Sequence, residues 1–405
     1  MSQLRISSRM FRCTYDNQRI EEITQYMLSG TVTADPGRDV TWTLDAEITP
    51  EGWDQLQPYR DWVAPFLRVE YPDGTVREGQ LGLYLVLDSP QRNDEITGAV
   101  QLEAMDALWL LNSQGLGQPF VGRKGDRKRD AVKRLLDYAV LTETGRGNDL
   151  YTIPRLDRDN PREEASFQKH IEWPSNTSRL QVINDILKGA GAYPLWATRT
   201  GRLTTRERGR ETLSQRAALR TYYANLPDGV RLRNGQEAPG GLSGEVVGTV
   251  VTTPRSVDLA NEIVIVGNDP EPETESNSGQ RKKGGKHRIS HPVNKRSKDV
   301  AAGRKSRATR RYPVLDDDAT AARVAKALAE ELSSRNVTAS VSVLPDPSLD
   351  LIHETVNLLI YRPDGRKVAN GQYAVHSVRY GFTPDDGLME LELGRIDDAS
   401  DAVKR

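Results

Sequence analysis

Along residues 38–48 (Arg-Asp-Val-Thr-Trp-Thr-Leu-Asp-Ala-Glu-Ile) apolar and polar positions alternate strictly. Val40, Trp42, Leu44, Ala46 and Ile48 fall on one side, and Thr41, Thr43, Asp45 and Glu47 on the other. Successive side chains of a strand point to opposite faces, so a period of two predicts a strand that is buried on one face only. Leu67 to Tyr71 reads as a second strand. Pro72-Asp73-Gly74 after it reads as a hairpin turn, since proline presets φ and Asp and Gly accept turn geometry. Leu81 to Leu87 is nearly all apolar, which predicts a strand buried on both faces, and Val100 to Ala104 closes the set. Residues 1–105 are therefore expected to be mostly strand.

After Ala104 the period changes. Met105 to Leu111 reads as a short helix. Asp130 to Leu141 places Val132, Leu135, Leu136 and Ala139 at helical spacing. Thr177 or Ser178 caps a third helix carrying Leu180, Ile183, Ile186 and Leu187, which Gly189 and Gly191 end. Tyr193 to Leu203 predicts a small hairpin. Strands return at Val246 to Thr252 and at Glu262 to Val266. Residues 268–311 carry few large apolar side chains and many Gly, Ser, Lys and Arg, and are expected to form an exposed loop. A last helix over 319–335 follows, with Asp316 to Asp318 as an acidic cap and Ala321, Val324, Ala325, Leu328 and Leu332 as its apolar stripe.

The first module recurs near the end of the chain. Arg38-Asp39-Val40-Thr41 has a counterpart in Arg335-Asn336-Val337-Thr338, which leads the alternating Ala339, Val341 and Val343. Val69 to Gly74 matches Leu359 to Gly365, both ending in Pro-Asp-Gly. Gly79-Gln80 before Leu81 to Leu87 matches Gly371-Gln372 before Tyr373 to Val378, and Val100 to Glu103 matches Met389 to Leu393. Each piece alone is common, but five in one order point to duplication. A subunit holding two similar modules occupies two positions of a ring, so three subunits build six positions with threefold true symmetry.

Composition narrows the function. The chain has 405 residues, which predicts about two to four domains. Its one cysteine, Cys13, excludes an internal disulfide and reads as a small strand or core residue made in a reducing compartment. No apolar run approaches a membrane span, and Met1 to Arg5 show no apolar stretch of a signal peptide. Between Arg281 and Arg311 stand thirteen Lys and Arg against the single acid Asp299. That segment carries +12, leaving −13 on the other 374 residues of a chain whose net charge is −1.

The order of parts (β module, helical insert, second β module) resembles the tail-hub, or baseplate hub, proteins of bacteriophages and related contractile injection systems. Two segments carry the likeness further, toward siphophage minor tail proteins of the hub type. One is Ser178 to Leu187 followed by Tyr193-Pro194-Leu195-Trp196 and Gly201; the other is Asp258 to Gly267. The resemblance implies a homotrimer whose paired tube-type β-barrel modules form a pseudo-sixfold ring that continues the tail tube and adapts it to a threefold tip. It implies contacts with a distal tail or tube protein on one side and with tip, fibre or spike proteins on the other. The tape-measure protein would occupy the lumen, DNA would pass through it in transit, and assembly in the host cytoplasm would place the chain at the virion's tail tip.

The expected fold is thus α+β and β-rich. Residues 1–105 and 241–397 are two tandem-related barrel modules, 106–240 is a mixed helix and hairpin insert, the basic loop 268–311 and helix 319–335 lie in the second module, and 398–405 is a tail. No stable membrane insertion is expected. No catalytic residue, cofactor or metal site is expected either. The histidines, His170, His287, His291, His353 and His376, form no zinc-ligand spacing, and His353 and His376 read as sheet residues. There is no Gly-Xaa-Ser-Xaa-Gly elbow or phosphate loop. The six tryptophans are scattered and read mainly as core rather than a carbohydrate platform. The candidate interaction residues are Lys282, Lys283, Lys286, Arg288, Lys295, Arg296, Lys298, Arg304, Lys305, Arg307, Arg310 and Arg311. Two other functions stay open: nucleic-acid binding through 281–311, which salt-sensitive DNA binding would reveal, and a tail-associated cell-wall hydrolase, which turnover on purified cell wall would reveal.

Overall fold

The computed structural model describes residues 5–71, 74–87, 98–139, 151–156, 164–211, 213–226, 246, 250–254, 262–267, 288–292, 307–315, 317–335, 337–384 and 386–396. The chain is β-rich α+β, and most of its strands belong to one 14-stranded sheet.

The N-terminal part contributes β1 (Arg5–Cys13), β2 (Arg19–Glu22), β3 (Met27–Ala34), β4 (Trp42–Ile48), β5 (Trp62–Glu70), β6 (Val76–Gln80), β7 (Tyr84–Val86) and β8 (Val100–Met105), with a one-turn helix α1 (Pro50–Trp53). Leu81 to Leu87 is buried throughout, as expected of a strand wet on neither face, but strand pairing begins only at Tyr84. The backbone breaks at Leu81 to Leu83, where side chains satisfy the freed carbonyls. Tyr84 donates its hydroxyl to Leu81 O at 2.9 Å, and Gln80 Nε2 donates to Gly82 O at 2.9 Å. The short helix also starts later than expected. Asp106 accepts from Trp42 N and Leu108 N, both at 2.8 Å, so the chain stays extended to Met105 and α2 runs over Leu108–Ser113.

The insert holds β9 (Phe120–Gly122), α3 (Lys128–Ala139), β10 (Tyr151–Thr152), β11 (Ile171–Trp173), α4 (Arg179–Gly189), β12 (Trp196–Ala197) and β13 (Leu203–Thr204). Ser178 caps α4, accepting from Gln181 N at 3.1 Å, and Gly191, at φ +72°, takes the left-handed conformation that ends it. The expected hairpin is β12 against β13, with β10 alongside in parallel. Lys128 is 2% exposed and donates its ammonium to Gly189 O at 3.2 Å and Val314 O at 3.0 Å. A cation thus sits at the carbonyl end of α4. Trp42 Nε1 donates to Ala197 O at 2.8 Å, tying the insert to β4.

The remaining strands are β14 (Arg220–Ala224), β15 (Val251–Pro254), β16 (Glu262–Val266), β17 (Arg288–Pro292), β18 (Arg307–Arg311), β19 (Val337–Val343), β20 (Thr355–Tyr361), β21 (Lys367–Thr383) and β22 (Asp386–Arg395), with α5 over Asp318–Ser334. Two expectations are corrected here. The 268–311 region is not loop throughout: its described parts, β17 and β18, flank β16 in a three-stranded sheet. The sequence hid this because β18 (Arg-Ala-Thr-Arg-Arg) offers almost no apolar face of its own. Ile263 and Ile265 of β16 supply it instead, packing with Tyr312 and Leu315 on Ala321, Val324 and Ala325 of α5. Second, β14 lies within the expected insert yet bonds in parallel to β20 of the second module.

The two expected modules share a strand order. The first quartet runs β4-β8-β7-β5, with β6 beside β5; the second runs β19-β22-β21-β20. In each, the first strand in sequence neighbours the last, and the third lies between the last and the second. The expected closure of each module into a barrel is not found among the described residues. Closure would need the outer strands of a quartet to bond each other. Instead β4 bonds β3, which bonds β21 of the other quartet, and β19 bonds β15. The ladder therefore passes from one module into the next as a single open path from β15 to β2. The passage is made by β21, which pairs with β20 over its first half and with β3 from Val378 to Phe382. A bulge at His376 separates the two halves.

Candidate functional site

Strand register carries one face of this shared sheet across the module junction. Ser342, Glu390, Arg379, Thr33 and Thr43 stand abreast on β19, β22, β21, β3 and β4. In the next row on the same face stand Leu388, Gly381, Thr31, Asp45 and Glu103, on β22, β21, β3, β4 and β8. Glu392 beside Ser340 and Ser377, and Glu47 beside Ser29 and Gln101, extend it at either end. These side chains are exposed or half-exposed, and apart from Leu388 they are polar, small or charged. The opposite face is core: Val343, Met389, Tyr380, Val32, Leu44 and Ala104 form one fully buried row across the same six strands.

The open face is acidic. Asp45, Glu47, Glu103, Glu390 and Glu392 project from it, and in these rows Arg379 is the cation, 3.7 Å from Glu390. Asp45 and Glu103 are direct cross-strand neighbours, a like-charge arrangement that costs stability. Toward β7, β5 and β1 the same face becomes covered. Leu85 pairs with Met105, and Trp109 and Leu110 of α2 pack there with Phe11, Trp62 and Phe66 in a second core. Cys13 belongs to that core at 1% exposure; burial pushes its thiol up to about 11 against the pull of Arg19, which removes it as a nucleophile at neutral pH.

Of the candidate basic residues, Lys282, Lys283, Lys286, Lys295, Arg296, Lys298, Arg304 and Lys305 lie outside the described residues. Arg288, Arg307, Arg310 and Arg311 stand on the two outer strands of the three-stranded sheet, where Arg288 and Arg311 both neighbour Val266. The described arginines are thus ordered on strands and not on a free loop. His353, expected as a sheet residue, is instead in a turn at φ +58°. Its ring lies 4.4 Å from that of Tyr193 and 5.0 Å from that of Trp196. His376 occupies the β21 bulge, 3.5 Å from Ser334 Oγ. Among the described residues no group of three or more His, Cys, Asp or Glu stands together as a metal site, and no helix is long and apolar enough to cross a membrane.

The sequence alone does not single out the acids of the open face, though it carries a signal for them. Asp45 and Glu47, Gln101 and Glu103, and Glu390 and Glu392 occupy the polar beats of alternating strands. Only the register shows that these beats share one surface.

No protein-family model and no curated protein sequence matches the chain. Solved structures do. The tail protein from Neisseria meningitidis MC58 superposes with a TM-score of 0.58 at 11% identity, covering 96% of this chain and 97% of that one. The 43 kDa tail protein of prophage MuSo2 from Shewanella oneidensis superposes with a TM-score of 0.52 at 11% identity, covering 96% and 98%. The chain has the fold of these tail proteins. The likeness spans both strand quartets and the insert, so the tail-protein fold accounts for nearly the whole chain.

Proposed function

We propose that this chain is a structural, non-enzymatic protein of a phage-type tail tip, and that the open acidic face lines a passage for DNA. The observation that carries the reading is the continuity of that face across two strand quartets of the same order. Two matched quartets give a subunit two quasi-equivalent positions, so three copies supply six. Such a ring continues a sixfold tube on one side, where a distal tail or tube protein docks, and meets a threefold tip, fibre or spike on the other.

The chemistry of the face suits transit. Proteins that hold DNA neutralise its phosphates with Lys and Arg, and the grip stalls movement. A wall of five carboxylates among Ser, Thr and Gly repels phosphate and presents no base-stacking aromatic to passing DNA or to a tape-measure protein in the lumen. The place of action is the virion tail tip, after assembly in the host cytoplasm. Native mass measurement over a concentration series tests the assembly. Growth of a species of three 45.2 kDa chains is expected, and a stable two-chain or four-chain assembly overturns the reading.

A further inference from the structure

A cavity of ≈ 240 Å³ opens on the side of the molecule where the β3–β4 turn, the insert, β18, the end of α5 and the β21 bulge meet. Its carboxylates are already engaged. Glu331 lies 3.2 Å from Arg208 Nε and accepts the Tyr193 hydroxyl at 2.8 Å. Glu354 accepts from Arg206 at 2.8 Å, and Asp35 lies 3.2 Å from Arg38. Three further guanidiniums line the cavity, those of Arg216, Arg310 and Arg335, and among the described residues none of them has a carboxylate partner.

Arg216 is fixed in place. It donates to His353 O at 2.9 Å and to the Tyr193 hydroxyl at 3.1 Å, and its guanidinium stands 5.8 Å from the Tyr193 ring centre. Arg310 and Arg335 are exposed at the rim. The two histidines add no charge: burial, reinforced by neighbouring arginines, holds His353 well below its usual range and brings His376 down to about 4. Between the cations the wall is apolar, made by Leu213, Ile263, Leu328 and Leu332. Guanidinium forks match carboxylate geometry, and an apolar wall matches a short aliphatic stem.

We propose that this cavity receives a carboxylate on an aliphatic stem, the Glu or Asp side chain of another protein chain. The carboxylates already in the wall favour a singly charged guest over doubly charged phosphate. The assignment does not depend on the ring, since none of the residues lining the cavity belongs to the rows of the open face.

Thermal unfolding of the full-length protein tests it, with sodium butyrate, a singly charged carboxylate on an aliphatic stem, as probe against sodium phosphate and sodium chloride at equal ionic strength. Butyrate is expected to raise the midpoint along a saturating curve, as a ligand of the folded state does. Arg310→Gln with Arg335→Gln, both exposed at the rim, is expected to weaken half-saturation about ten-fold or more, read against the variant's own midpoint without butyrate. Arg379→Gln on the open face should leave the curve unchanged. The proposal is overturned if butyrate acts no differently from chloride, if phosphate saturates in preference to butyrate, or if the double variant half-saturates at the same butyrate concentration as the wild type.

Discussion

Arg77 on β6 and Asp346, in the stretch leaving β19, are ion-paired across 269 residues of sequence, and Arg220 of β14 reaches the same carboxylate oxygen. Asp346 is 1% exposed, so one buried acid joins the first quartet, the second and the strand at the insert's end. Removing its charge takes the shared carboxylate from two guanidiniums. Asp346→Asn is expected to cost about 3–5 kcal/mol, the usual penalty for breaking a buried pair from one side, read from the urea midpoint. Burial raises this carboxyl, but Ser348, Arg220 and Arg77 together outweigh burial and leave it below its ordinary value. Its contribution is therefore full above about pH 4, where the unfolded carboxyl is ionised, and fades as pH falls through the lower folded value. The wild type should lose stability in that acid window by more than the Asn variant does.

His376 acts in the same direction in a higher pH window. Burial first, then the charge of Arg335, brings its imidazole down to about 4 against the attraction of Asp35; Ser334 is its hydrogen-bonding neighbour. Between that value and the unfolded value near 6.5, the unfolded chain binds a proton that the folded chain refuses. Stability should fall as pH drops from about 6.5 to 4. His376→Gln, which cannot take up the proton, should flatten the fall without abolishing it, since His353 behaves in the same sense. Urea unfolding at pH 7 and pH 4.5 checks this, and equal slopes for the two proteins contradict it.

Asp106 tests the turn between β8 and α2. Its two oxygens accept one backbone N–H each, from Trp42 and Leu108, in a site 1% exposed. An asparagine amide replaces only one of those acceptors and turns its NH2 on the other donor. Asp106→Asn should cost about 1–3 kcal/mol, the desolvation of one orphaned buried N–H, measured as a shift in denaturation midpoint at constant m-value.

How legible these features were follows from what each needed. The α4 cap at Ser178, the α5 stripe and the alternation of β4 are local, and short-range pattern shows them directly. The quartet order is legible as a repeat because Gly74 after β5 and Gly365 after β20, both at positive φ, close equivalent corners, their N–H groups donating to Tyr71 O and Arg362 O. What stayed hidden is non-local. β3 reads weakly because Gly30 fills a position where a side chain would clash: a Cβ there would lie 2.5 Å from the Phe382 ring. β18 borrows its apolar face from β16 and α5. The open face needs six strands in register before its acids become neighbours, and barrel closure failed because the outer strands found partners elsewhere.

The acidic face makes the last prediction. Stability alone does not favour Asp45 directly opposite Glu103, and like charges at such a pair cost about 0.2–1 kcal/mol. Asp45→Thr, which keeps a good strand former beside Thr31, should raise the urea midpoint by that order. If the acids are kept to repel phosphate, inverting them should create a grip where there was none. Asp45→Lys with Glu390→Lys and Glu392→Lys adds three cations to one surface. Relative to the wild type, it should bind duplex DNA more tightly at low salt, with a slope of log K against log salt steeper by about 0.9 for each phosphate newly neutralised. Placing the same three lysines at exposed positions off this face, with no change in DNA affinity there, would tie the effect to the shared surface. Equal gains at both locations would show that added charge alone accounts for it and that the face has no special geometry for DNA.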